Sequence, residues 1–352
     1  MKREIYNLQI VRGIAALLVV FAHFLPQELG LYAMGQLGVS MFFFLSGYIM
    51  IYTFKEQEQP ATFLQKRFLR IYPPYIIISL PLLLAAAMKT GSVSYMLHSI
   101  FLVPWFDWNR QVNSFNIHSP IANNIAWTLV FELYFYLVFS IAKKIKNTRN
   151  FVFAFTCVTI LALMGVTNFI NGNDGKLGWY TLTWSAVFAN LCNLSFLVGM
   201  AWSMLTMQSH ETKNRTWTLL LLPLSVYCIT KVVPEMPVKN EQYMDVLFSC
   251  IPGWIIVASL SVSHNLKGFV FNKLHNIGQY SYSLYLFHGV LATVVYQLHP
   301  PEKYGYAISL ASMVFSIWFS KYLYKYIESV RYLELFKTQR ARYRNARSST
   351  SE

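Results

Sequence analysis

LQIVRGIAALLVVFAHF, residues 8–24, decides the class of fold. From Gly13 to Phe21 it is apolar on every face, which suits neither an amphipathic surface helix nor a barrel strand of alternating faces. Its length approaches the roughly 20 residues a helix needs to cross hydrocarbon. A secretory signal fits less well, because Arg12 lies inside the run and no small-residue cleavage site follows it.

The same reading extends along the chain. Runs near residues 36–54, 72–88, 121–142, 150–170, 183–207, 216–233, 244–263, 279–298 and 304–327 have similar length and character. With 55% hydrophobic and 12% charged residues, the 352-residue chain lies outside the usual range of a water-soluble protein. The sequence predicts an all-α polytopic membrane protein of about ten transmembrane helices. Residues 1–330 form that domain, and residues 331–352 read as a basic tail without fixed structure.

Basic residues set the orientation, since they accumulate on the cytoplasmic side. With the N-terminus inside, Lys2, Arg3, the Lys55–Arg70 and Lys143–Arg149 segments and the tail from Arg331 to Arg347 all fall inside. Lys89, Arg110, Lys176, Lys231, Lys239 and Lys303 fall outside. Both termini are therefore expected in the cytoplasm, with the chain crossing a bacterial inner membrane many times. The net charge of +14 reflects this asymmetry and attraction to anionic membrane lipid. Nucleic acid is not an expected partner, because no basic soluble domain is present. Cys157, Cys192, Cys228 and Cys250 lie in apolar runs without metal-ligand spacing, so no metal is expected.

An ionisable group at membrane depth is costly, so each one is a functional candidate. Arg12, His23, Glu132, His288 and Glu328 stand out. Arg12 and His23 are eleven positions apart, which places them within about 20° of one helix face and about 16 Å apart along the axis. Arg67 and Arg70, three apart before an apolar run, share a face if that segment is helical. Read alone, such a basic cluster is equally a lipid anchor, and the alternative for Glu132 is a protonated, hydrogen-bonded structural acid.

Together these features resemble the membrane acyltransferase-3 family, which O-acylates bacterial surface polysaccharides. The resemblance rests on Arg12 and His23 in an Arg-x10-His arrangement, on GVSMFFFLSGYIM at 38–50, and on Arg67 and Arg70 in FLQKRFLRIYP. AWTLVFELYFY, with Trp127 and Glu132, and YSYSLYLFH, ending in His288, complete it. One departure is that Glu328 precedes Ser329 and Val330 where the family often has Pro two residues on. Glu328 could equally pair with Lys325 or Arg331.

The resemblance implies acyl transfer from a coenzyme A thioester, most simply acetyl-CoA as co-substrate, to a hydroxyl of a polysaccharide or lipid-linked glycan. O-antigen, capsule and exopolysaccharide are the implied acceptors. Arg12, Arg67 and Arg70, with Lys66 nearby, would hold the donor's phosphates. His23 would act as base, with Glu132 orienting it. Trp127, Tyr285, His288 and Ser46 would line the substrate site. Read by size alone, Gly38, Ser46 and Gly47 suit close helix packing. The connector from Lys89 to Pro120, with Trp105, Asp107, Trp108 and Arg110, suits a polyhydroxylated acceptor or an interfacial aromatic belt. A second reading is a glycan transporter or flippase, with Arg12, His23, Glu132 and His288 as its polar path. That class is marked by inverted repeats, and no clear internal repeat is visible.

Overall fold

The computed structural model describes residues 6–25, 32–104, 121–170, 182–208, 243–298 and 302–330. These residues form helices and no β-strand. The long helices are α1 (Tyr6–Phe24), α2 (Tyr32–Tyr52), α3 (Pro60–Thr90), α5 (Trp127–Ile145), α6 (Arg149–Ile170), α8 (Cys192–Gln208), α9 (Tyr243–Val262), α11 (Ser281–Leu298) and α12 (Glu302–Leu323). Shorter ones are α4 (Val93–Phe101), α7 (Trp184–Ala189) and α10 (Phe269–Gln279). Helices thus occupy the predicted apolar runs except 216–233, which lies outside the described residues, as does the 331–352 tail. Five helices, α1, α2, α3, α5 (with the 3-10 turn before it) and α6, are long and apolar enough to cross a membrane.

Two boundaries differ from the sequence reading. The run expected to begin at 72 belongs to a helix beginning at Pro60, a residue suited to the first helical position, and it continues through Pro73, Pro74 and Pro81. Prolines remove backbone donors, but in a membrane bundle neighbouring side chains can satisfy the freed carbonyls. Pro73 and Pro74 free the carbonyls of Leu69 and Arg70, four residues earlier; next to them, the Tyr282 hydroxyl donates to the Ile71 carbonyl at 2.9 Å. The connector expected from Lys89 to Pro120 contains α4, whose N-cap Ser92 accepts from the Tyr95 amide at 3.2 Å. Residues 105–120 lie outside the described residues.

Glycines let the helices touch backbone to backbone. A Cβ on Gly47 of α2 would strike the Phe196 carbonyl oxygen of α8, and one on Gly199 would strike that of Phe44. The same reciprocal arrangement joins Gly13 of α1 to Leu274, and Gly278 of α10 to Gln9. Gly38 meets the Ala15 carbonyl. Without a hydrophobic drive between helices in lipid, such close approach supplies the packing energy. Gly38 and Gly47 therefore serve the packing role their size suggests.

Polar ties gather several helix ends at one end of the bundle. Lys143 Nζ of α5 donates to the Lys55 carbonyl at 3.0 Å, and Ser140 Oγ to the Pro60 carbonyl at 3.3 Å. Asn7 Nδ2 reaches the carbonyls of Leu260 and His264, each at 3.0 Å. The starts of α1 and α3 thus share an end with the finishes of α2, α5 and α9.

Candidate active site

One cavity of about 110 Å³ is bounded by α1, α2, α3, α5 and α11. Helical spacing brings its polar groups together: Arg67 and Arg70 three apart on α3, Thr128, Glu132 and Tyr136 four apart on α5, and Tyr282 and Tyr285 three apart on α11. Arg12 enters from α1 and Ser46 from α2. Three of the four donor-side and acid positions expected from sequence lie on α1 and α3, and Glu132 faces them from α5.

The carboxylate of Glu132 is held by two hydroxyls. Its Oε1 accepts from Ser46 Oγ at 3.1 Å and from the Tyr136 hydroxyl in a short bond. The Arg67 guanidinium lies between two aromatic rings, 5.3 Å from the centroid of Phe63 and 5.2 Å from that of Tyr136. Arg12 Nη1 donates to Gln9 Oε1 at 3.4 Å. Among the described residues no carboxylate comes within ion-pair distance of Arg12, Arg67 or Arg70. Three permanent cations therefore share a cavity with one lining carboxylate, and Glu328 is close enough to act on Arg12 and Arg70; the remaining excess of positive charge is one that an anionic ligand would relieve.

Near the far end of α1, His23 and His288 form a pair. Their ring centroids are 5.2 Å apart at an interplanar angle of 67°. His23 Nδ1 is 2.8 Å from the Val19 carbonyl and His288 Nδ1 is 3.0 Å from that of Leu284. A carbonyl can only accept, so in the neutral rings the proton is on Nδ1 and each Nε2 presents a lone pair. His23 is accessible, whereas His288 is fully buried and its Nε2 has no partner. Neither ring lines the cavity. Tyr285 stands between: it lines the cavity, and its ring centroid is 5.6 Å from that of His288. Its hydroxyl donates to the Ile125 carbonyl at 2.9 Å and so accepts from Thr128 Oγ1, also at 2.9 Å.

Several expected contacts are replaced by others. Glu132 is hydrogen-bonded to Ser46 and Tyr136, and no hydrogen bond joins it to His23, because α5 presents it to the cavity of the arginines, which neither histidine lines. Trp127 does not line the cavity; its ring packs against Phe43 and Phe131, at 6.5 and 5.6 Å. Lys66 pairs with Glu58 at 2.6 Å instead of joining the arginines. Glu328 Oε2 accepts from the Ser283 amide at 3.0 Å and hydroxyl at 2.7 Å, capping the first turn of α11 in place of pairing with Lys325. Arg331, its other expected partner, lies outside the described residues. Tyr136 and Tyr282 are cavity residues that the sequence reading missed. Tyr136 could have been found from its position four after Glu132.

A family profile described as Acyltransferase domain matches residues 5–325, nearly the whole of this bundle. The chain belongs to the acyltransferase-3 family. Among relatives, the acyltransferase MdmB of Streptomyces mycarofaciens is 24% identical over 327 residues, covering 84% of this chain and 81% of MdmB. O-acetyltransferase OatA of Staphylococcus aureus is 22% identical over 353 residues, 93% of this chain and 57% of OatA. Peptidoglycan O-acetyltransferase OatA of Listeria monocytogenes is 26% identical over 308 residues, 79% of this chain and 49% of that protein. The chain thus spans about half the length of the OatA relatives. No solved structure matches it. As an acyltransferase-3 protein with several membrane-length apolar helices, it is a membrane protein.

Proposed function

We propose that the protein transfers an acetyl group from acetyl-CoA to a hydroxyl of a cell-surface glycan or its lipid-linked precursor. In this reading it spans a bacterial inner membrane about ten times, with both termini in the cytoplasm. The observation that carries the donor half is the cavity of three arginines against one lining carboxylate. Coenzyme A brings phosphates that guanidinium groups bind with paired hydrogen bonds. The acceptor half is supported by the relatives named as O-acetyltransferases, one of them for peptidoglycan.

The arrangement suits such a transfer. Arg12, Arg67 and Arg70 hold the phosphates near the end of the bundle where α3 begins. The pantetheine arm extends from them into the cavity toward Tyr285, the cavity residue that meets the histidine pair, and presents the thioester on that side to His23. His23 Nε2 takes the proton from the acceptor hydroxyl as its oxygen bonds to the thioester carbonyl carbon. The C–S bond then breaks, and the thiolate leaves and takes up a proton, giving the ester and free coenzyme A. His288, buried behind His23, and Tyr285 shape the approach. Ser46 and Tyr136 keep Glu132 fixed in the cavity that the arginines line.

The direct test is label transfer. Purified protein in detergent, given radiolabelled acetyl-CoA and peptidoglycan fragments or lipid-linked glycan, should release free thiol in step with glycan labelling. No label passing from acetyl-CoA to glycan would overturn the reading, and no difference between wild type and His23→Ala would overturn the role of His23. Cysteine labelling that finds the tail outside would overturn the topology.

A further inference from the structure

The cavity has two chemically different ends. Arg67, Arg70 and Tyr136 mark one, near the ties that join Ser140 to Pro60 and Lys143 to Lys55. Thr128 stands eight residues back along α5 from Tyr136, about 12 Å further in. On α2, Phe42 is seven residues from Ile49, about 10 Å in the same sense. The deep end is closed by Val39, Phe42, Phe43, Leu129 and Tyr285, with no charged group among them.

Phe43 is the least movable part of that wall. Its ring is met at centroid distances of 5.7 Å by Phe131, 5.7 Å by Phe135 and 6.5 Å by Trp127. Phe135 is itself stacked on Phe196 at 4.0 Å, where Gly47 and Gly199 lock α2 to α8. Phe43 is 3% exposed, so a rotation would have to displace several rings in a close-packed interior. Beside it Phe42 meets Tyr285 at 6.0 Å, and the Tyr285 hydroxyl is fixed by Ile125 and Thr128. A group entering from the arginine end therefore meets a short apolar recess with a rigid floor.

We propose that this recess is the acyl subsite and that Phe43, buttressed by Trp127, restricts the donor to short acyl groups. The inference rests on the acyl-CoA reading and goes beyond it by assigning acyl-length selection to a named residue. It also gives Trp127 a role, as a positioning residue acting through Phe43. Each surplus methylene in a fixed apolar pocket lowers kcat/KM by about 10- to 200-fold.

The experiment compares acetyl-, propionyl- and butyryl-CoA as donors to one glycan acceptor, using the full-length protein. Wild type should fall by about tenfold or more for each added methylene. Phe43→Ala should raise the butyryl to acetyl ratio of kcat/KM by about tenfold or more, with Phe43→Leu, which keeps more core volume, shifting it in the same direction. Val39→Phe, filling the recess, should reduce propionyl transfer more than acetyl transfer. A wild type that uses butyryl as well as acetyl, or an unchanged ratio in folded Phe43→Leu and Val39→Phe, overturns the proposal. A wild type that transfers nothing from any of the three thioesters overturns the donor reading beneath it, a distinguishable result.

Discussion

Tyr136 touches both signs of charge in the cavity: its hydroxyl donates to the carboxylate of Glu132 one turn back on α5, while its ring lies 5.2 Å from the guanidinium carbon of Arg67. One side chain therefore fixes the acid and stacks on the base, and the two tasks separate by substitution. Tyr136→Phe removes the hydrogen bond and leaves the ring. A hydrogen bond to a charged group contributes about 1.5–3 kcal/mol, so activity should fall by about tenfold or more while the KM for acyl-CoA changes little. Tyr136→Ala also removes the stacking surface and should raise that KM. Steady-state kinetics of both variants decide it, and equal KM values in the two would separate Arg67 from the ring.

The arginines and Lys66 differ in their surroundings despite adjacent positions. Arg67 and Arg70 line the cavity, whereas Lys66 is paired with Glu58 on the exposed side of α3. Losing a charge-assisted bond to phosphate costs about 1.5–3 kcal/mol, so Arg67→Ala and Arg70→Ala should each weaken coenzyme A binding by about tenfold or more. Lys66→Ala breaks an exposed pair of about 0–1 kcal/mol and should leave binding within about twofold. Isothermal titration with coenzyme A is sufficient, and a Lys66 effect matching the arginine effects would show a general electrostatic attraction in place of a site.

The two histidines should respond differently. Removing a general base costs about 10²- to 10⁴-fold in rate, which is the loss expected for His23→Ala. His288→Phe preserves a ring against His23 and Tyr285 but removes the buried Nε2 lone pair. Its kcat should drop by about tenfold, less than for His23→Ala, with the donor KM unchanged. A His288→Phe protein with wild-type kcat would leave His288 a packing residue.

Much of this site could be read because a charge in an apolar run is anomalous wherever it stands. Arg12, Glu132 and the helical pairing of Arg67 with Arg70 needed only composition and spacing. What the sequence concealed was contact between distant segments: Ser46 and Glu132 are 86 residues apart, and His23 meets His288 through the packing of α1 on α11. Tyr136 and Tyr282 escaped notice because tyrosine in a membrane helix is unremarkable until a carboxylate or carbonyl is placed beside it. The start of α3 was misplaced for a related reason. The apolar run begins only after Lys66, Arg67 and Arg70, yet the helix that carries it starts at Pro60 and includes those charges.

The reciprocal glycines make a last prediction about stability. Gly47 and Gly199 face the carbonyls of Phe196 and Phe44, so a methyl on either forces α2 and α8 apart. That separation also moves Phe43 and Ser46, which share α2 with Gly47. Gly199→Ala should therefore lower the thermal midpoint in detergent and reduce activity together, by the roughly 1–3 kcal/mol typical of overpacking. Gly165, exposed on α6 with open space around its Cβ position, is the control. Relieved of glycine's backbone entropy, Gly165→Ala should gain about 0.5–1 kcal/mol in helix stability and keep wild-type activity. Thermal scans of the two variants should move in opposite directions; a Gly199→Ala midpoint equal to wild type would mean that α2 and α8 do not depend on backbone contact for their packing.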